Sequence, residues 1–172
     1  MFGIKKLWVP VFAQIDLKNT TIKIKDGGTN EIEVTIGEGN ITWTERRNID
    51  YVLNRGTLDE VREGDQVPVE VSMDFIFEYI KGGSASAGIP SVEDAVKRLN
   101  AAAAWTSTDA DACRPFAVDI ELANVPSPSG CGDTETITLA DFRYEEIQHD
   151  LRAATVSMSG RCNILRPTVV RA

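Results

Sequence analysis

Apolar and polar residues alternate with period two along much of this chain, and the longest such run is VPVEVSMDFIFEY, residues 67–79. Val67, Val69, Val71, Met73, Phe75, Phe77 and Tyr79 take the odd positions, while Glu70, Ser72, Asp74 and Glu78 fall between them. Successive side chains of a strand point to opposite faces. The run therefore predicts a long strand over 67–80, with one face in a core and an acidic face turned to something wet. Thr21–Lys25 and Glu31–Ile36 alternate in the same way, and the turn residues DGGTN between them predict a hairpin. Ile41–Thr44 follows a second turn at Gly37–Asn40.

Further along, Phe116, Val118, Ile120 and Leu122 share one face of a strand ending at Asn124, and Asp119 and Glu121 share the other. Thr134–Phe142 and Leu151–Arg161 read as two more strands, joined by Tyr144–Asp150. Residues 46–66 break the pattern. They are charged, contain Asn54-Arg55-Gly56 and end at Gly64-Asp65, which reads as a strand end followed by a long loop. Gly82–Gly88 has the composition of a flexible linker, placed at 82–90. After it, Ser91-Val-Glu-Asp94 is a capping box opening a helix over 91–104, whose apolar stripe is Val92, Ala95, Val96 and Leu99. Glu93, Lys97 and Arg98 are expected at its solvent face. The fold class is mainly β: a β-sandwich, barrel or strongly curved sheet with one flanking α-helix. It forms a single domain over 1–172, with an N-terminal arm at 1–20.

Composition narrows the function. The chain has 172 residues, 42% hydrophobic and 26% charged, which is ordinary for a globular domain. Its formal net charge of −8 argues against nucleic-acid coating, because affinity for phosphates comes mainly from Lys and Arg releasing counterions. The N-terminal stretch MFGIKKLWVPVFAQID is too short in its apolar part, and interrupted by Pro10, for a signal peptide. No stretch has the roughly 18 apolar residues of a membrane span. A cytoplasmic, reducing site of synthesis is expected, with no membrane association.

Candidate chemistry is sparse. His149, the single histidine, lies in the polar stretch EEIQHD without a Gly-x-Ser-x-Gly elbow, and is expected at the surface. Asp119 and Glu121 have the residue types of a glycosidase pair but read as a solvated strand face. Cys113, Cys131 and Cys162 lack a Cys-x-x-Cys knuckle. A zinc site of Cys113, Cys131, His149 and Cys162 and a Cys113–Cys131 disulfide are the alternatives, and independent small buried thiols are expected instead. KGGSASAG lacks the Gly-Lys-Ser/Thr ending of a phosphate loop. No enzyme activity, metal or cofactor is expected.

The segment IDYVLNRGTLDEVREGDQVPVEVSMDF, residues 49–75, resembles the long-loop-then-long-strand segment of tail tube proteins from bacteriophages with long non-contractile tails. The helix position and the C-terminal stretch from Arg114 to Asn163 are similar as well, so the likeness covers roughly residues 40–165. This resemblance implies a β-sandwich subunit, homohexameric rings joined into a β-lined channel, rings stacked by long loops, and DNA passing through without specific binding. It implies assembly in the host cytoplasm into a virion tail, with a tip or initiator, a terminator and a tape measure as partners. By position, residues 46–66 become the inter-ring loop, carried by Arg46, Arg47, Asp50, Arg55, Asp59, Glu60, Arg62, Glu63 and Asp65. Strands near 41–45 and 67–80 become candidates for the inner sheet.

On that reading Glu70, Asp74 and Glu78 are the candidate lumen-facing residues, since carboxylates repel phosphate where lysines would retain it. They are spaced roughly 13 Å apart along a strand, beyond the Debye length of about 8 Å, so the row costs one chain little. The alternative is a monomeric carbohydrate-type binding module using Trp43 or Trp105 as a stacking platform.

Overall fold

The computed structural model describes residues 20–34, 40–76, 88, 90–124 and 134–171. Among these residues ten strands and one α-helix follow in chain order: β1 (Thr20–Lys25), β2 (Glu31–Val34), β3 (Ile41–Thr44), β4 (Ile49–Asn54), β5 (Thr57–Glu63), β6 (Val69–Ile76), α1 (Val92–Lys97), β7 (Val118–Asn124), β8 (Glu135–Asp150), β9 (Thr155–Cys162) and β10 (Thr168–Arg171). Mainly β with one short helix is the fold class expected from the alternation. The strands form an antiparallel sheet in the order β2-β1-β7-β8-β9-β6-β3, with β10 also paired to β8; β4 and β5 form a separate two-stranded hairpin.

β8 organises the large sheet. Its first part, Glu135–Phe142, pairs with β7, and Glu135–Thr138 also pairs with β10. From Phe142 to Asp150 it pairs with β9. The changeover is a bulge: Ile120 opposes Leu139 and Val118 opposes Phe142, so β8 carries one residue more than β7 over that interval. Asp141 takes up the extra length at φ 55°, and Leu139 and Phe142 can then both point into the core despite their odd spacing. The sheet thereby folds over itself. Ile22, Ile24, Ile120 and Leu122 on one half join Val69, Val71, Met73 and Met158 on the other in one hydrophobic cluster, with Ala95, Val96 and Trp105 closing it.

Two tight approaches lock this arrangement. A Cβ on Gly160 would meet the Arg143 carbonyl oxygen at 2.1 Å, beside a second bulge in β8 between Tyr144 and Glu146. Asp26, only 6% exposed, accepts hydrogen bonds from the backbone N–H of Gly28, Asn30 and Thr106, and from the Asn30 amide and Thr106 hydroxyl. It ties the β1–β2 turn to the segment following the helix.

Four expectations change. The helix does not run over 91–104: its capping box forms, but Arg98 adopts φ 55° and ends it, leaving a short 3₁₀ turn at Asn100–Ala102. Leu99 is consequently exposed rather than part of the buried stripe. Tyr144–Asp150 is no connection but the second half of β8, since Ile147 and its neighbours pair with β9. Residues 46–66 are mostly a hairpin rather than a loop, and β10 is a strand that the pattern did not suggest. The strand expected over 67–80 begins at Val69, just after Pro68, which has no N–H to give a ladder. Its expected end beyond Ile76, the arm at 1–19 and nearly all of the linker 82–90 lie outside the described residues.

Candidate functional site

Two surfaces stand out. The first is the β4–β5 hairpin. Arg55 and Gly56 both have positive φ, 52° and 84°, the requirement of the two-residue turn that best matches strand twist. Cross-strand pairing aligns Ile49 with Glu63, Tyr51 with Val61 and Leu53 with Leu58, which gathers all the hairpin's large apolar residues but Val52 on one face. The opposite face carries Asp50 against Arg62 and Val52 against Glu60. Every residue of both strands is exposed, including Tyr51 at 62% and Leu53 at 63%. A solitary two-stranded hairpin is marginal in water, and an uncovered apolar stripe of this kind marks an interaction surface.

The candidate loop residues are now placed. Arg46 and Arg47 stand at the hairpin root, where Arg47 Nε lies 3.3 Å from Glu63 Oε1. Arg62 Nη2 bridges to Glu60 Oε2 at 2.6 Å, which raises the pKa of its guanidinium through that hydrogen bond. Arg55 is at the tip, Asp59 beside the bulge at Val52/Leu53, and Asp65 lines the clefts at the root together with Arg47 and Glu63.

The second surface is the outer face of the half-sheet β3-β6-β9-β8. The odd residues of β6 are inside as expected: Val69, Val71 and Met73 are buried, while Ser72 and Asp74 are exposed. Across this outer face the register brings together Thr42, Ser72 and Ser159, Thr44, Glu70 and Arg161, and Asp74 and Ser157. Glu146, Gln148 and Asp150 continue the rows on β8. The face is thus a band of hydroxyls with charges at its margins, less acidic than β6 alone suggested. Arg46 Nη2 sits 3.0 Å from Glu70 Oε2, so of the acidic row only Asp74 is without an ion pair among the described residues; Glu78 lies outside them. The band's composition was not readable from one strand, because β9 supplies most of its serines by pairing.

Both margins of this half-sheet are open among the described residues. β3 pairs only with β6, and beyond Phe142 the β7 side of β8 has no partner strand.

The other candidates are placed as follows. Asp119 is half-buried rather than on an open solvated face: it accepts the Asp141 N–H at 2.9 Å, and burial raises its pKa, with Asp141 adding to the rise. Glu121 is held by Lys25 at 2.6 Å. His149 is exposed on β8, with Nε2 3.1 Å from Glu93 Oε2. Cys162 is buried, and that burial, with Asp119 and Asp141 nearby, pushes its thiol up to about 12. Cys113 is a free thiol but exposed, contrary to the expectation of burial; Cys131 lies outside the described residues. Among the described residues no group of three His, Cys, Asp or Glu side chains has metal-site geometry. Trp105 is 4% exposed and Trp43 packs against the core, so Trp105 offers no stacking platform and Trp43 only part of one.

No family model matches the chain, and no curated protein matches it in sequence. Its fold does match solved structures. One is the tube-terminating cap of the anti-feeding prophage, at 10% identity over 99% of this chain and 100% of that one, with a TM-score of 0.51. Another is the sheath/tube terminator of PVC, an extracellular contractile injection system, in its extended state, at 9% identity over 93% and 99% of the two chains, also with a TM-score of 0.51. The protein therefore has the fold of tube-terminating proteins of phage-like contractile injection systems. The sequence resemblance is to non-contractile tails, whereas both of these structures come from an anti-feeding prophage and a contractile injection system.

Proposed function

We propose that this protein is a ring-forming structural subunit of a phage-type tail. Copies assemble as homohexamers, and the rings stack into a tube that DNA crosses without being bound. The observation that carries this reading is the β4–β5 hairpin, whose apolar face is exposed and covered by no other strand among the described residues. A second copy covers it when rings stack. The half-sheet β3-β6-β9-β8 faces the channel, and its open margins pair between neighbours: the free edge of β3 meets the free edge of β8 on the next subunit. Joining edges around a closed ring removes the exposed ladder groups that make a lone edge prone to aggregation.

In this role the protein does no catalysis and needs no cofactor. It is part of the virion after assembly in the host cytoplasm, and it contacts tip, terminator and tape-measure proteins. The sequence resemblance favours a repeating tube subunit of a non-contractile tail. A second reading, favoured by the fold of the two terminators, is a single ring that caps a tube. Negative-stain electron microscopy across a concentration series separates the cases. Striated tubes with an open channel are expected; single rings that never lengthen support the cap, and small featureless particles at every concentration overturn both.

A further inference from the structure

The outer face of the β3-β6-β9-β8 half-sheet carries two arginines, and each is held against a glutamate. Arg46 Nη2 lies 3.0 Å from Glu70 Oε2, and Arg161 Nε lies 3.6 Å from Glu145 Oε1. The pairs are neighbours, because Glu70 and Arg161 stand opposite each other in the β6–β9 register. Glu70, Glu145 and Arg161 line one shallow depression with the hydroxyl residues Thr42, Thr44, Ser72 and Ser159. Arg143, opposite Arg161 on β8, is not part of this face chemistry: its guanidinium is held by Asp109 at 2.6 Å and by the Pro115 carbonyl at 2.9 Å.

All four charged side chains are well exposed, from 36% for Glu70 to 59% for Arg46, so the pairs add little to stability. Their consequence is electrostatic. An unpaired guanidinium on a surface that meets nucleic acid takes a phosphate oxygen and releases a counterion. We infer that Glu70 and Glu145 act as built-in counterions that occupy Arg46 and Arg161 and keep them from a phosphodiester backbone. Asp74, Glu146 and Asp150 make no ion pair among the described residues, although Glu146 accepts from Gln148 and Asp150 from the Arg152 and Ala153 N–H groups. They repel at longer range while the hydroxyl band stays hydrated and neutral. The role differs from a general acidic coat: the position of each glutamate beside its arginine matters, beyond its charge. This inference rests on the channel reading above.

The test measures binding of a fluorescein-labelled DNA duplex by anisotropy, as a function of salt, on the full chain. Wild-type protein is expected to show no binding at low salt. Glu70→Gln with Glu145→Gln is expected to bind, with log K falling against log salt at a slope of about −2 per engaged subunit, as two released arginines require. Asp74→Asn with Asp150→Asn removes the same charge without releasing an arginine and is expected to leave binding absent. Adding Arg46→Gln and Arg161→Gln to the glutamate variant is expected to abolish its binding. The inference is overturned if wild-type protein binds, if the glutamate variant does not, or if the aspartate variant binds as well. Circular dichroism checks that each variant is folded. Electron microscopy of the same wild-type sample reports on the channel reading separately, since missing rings sink that reading whatever the anisotropy shows.

Discussion

Strands β5 and β6 follow one another in the chain and meet opposite fates. β6 alternates and buries its apolar side, with Val69 at 0% and Val71 at 2% exposure; β5 and its partner β4 collect apolar residues on one face that stays open, with Leu58 at 55% and Val61 at 53%. The difference lies in what surrounds them. β6 is flanked by β3 and β9 and roofed by residues from the other half of the sheet, whereas among the described residues the hairpin's two strands pair only with each other. A strand's pattern says that one side wants cover. It does not say whether the same chain provides it.

The comparison yields graded expectations. The largest concerns the paired half. Gly160→Val places a side chain where the Arg143 carbonyl already sits, and is expected to cost more than about 3 kcal/mol or to prevent folding, read by urea unfolding. Asp26→Ala comes next. It strands the backbone N–H groups of Gly28, Asn30 and Thr106, and a loss of roughly 2–4 kcal/mol is expected in the same measurement.

Substitution of the hairpin is expected to behave in the reverse sense. Tyr51→Ser with Leu53→Ser should change single-chain stability by no more than about 0.5 kcal/mol, yet abolish rings and tubes in electron micrographs. A large loss of stability in that variant would break the comparison, because it would mean the chain covers its own hairpin.

The smallest effect is a pH dependence confined to the paired half. Burial opposes ionisation of Asp26, but its hydrogen bonds from Asn30, Thr106 and Gly28 outweigh burial and hold its carboxyl below the usual carboxylate value. A depressed pKa means stability that is present above the unfolded-state value and lost as pH falls toward the folded one. Asp26→Asn is therefore expected to flatten the acid side of the stability profile. An unchanged profile would assign acid sensitivity to other groups.

Much of the fold was legible locally. The β1–β2 hairpin, β3, β6 and β7 lie where the alternation places them, and the Ser91–Asp94 capping box forms as its spacing implies. The second half of β8 was not legible, because Tyr144–Asp150 is mostly polar and only Ile147 signals a face; its strand character comes from pairing with β9. The hairpin at 49–63 was hidden for a related reason. The register shift at Val52/Leu53 leaves Asp59 as an extra residue in β5, so the alternation that holds through Ile49, Tyr51 and Leu53 is broken between Leu58 and Val61. Of the candidate site, the chain identified the acidic row and the charged segment with Arg46, but neither the serines from β9 nor the pairing of Arg46 with Glu70 and of Arg161 with Glu145.

That division has one physical cause. Alternation, turn chemistry and helix capping depend on residues within a few positions of each other, so the order of residues dictates them directly. Strand neighbours, the bulge at Asp141, the αL stop at Arg98 and the ion pairs on the outer face depend on groups brought together from distant positions, and only the folded sheet sets them. The need for a cover over Tyr51, Leu53 and Leu58 is written in their side chains; that the described residues leave it unmet is a property of the fold.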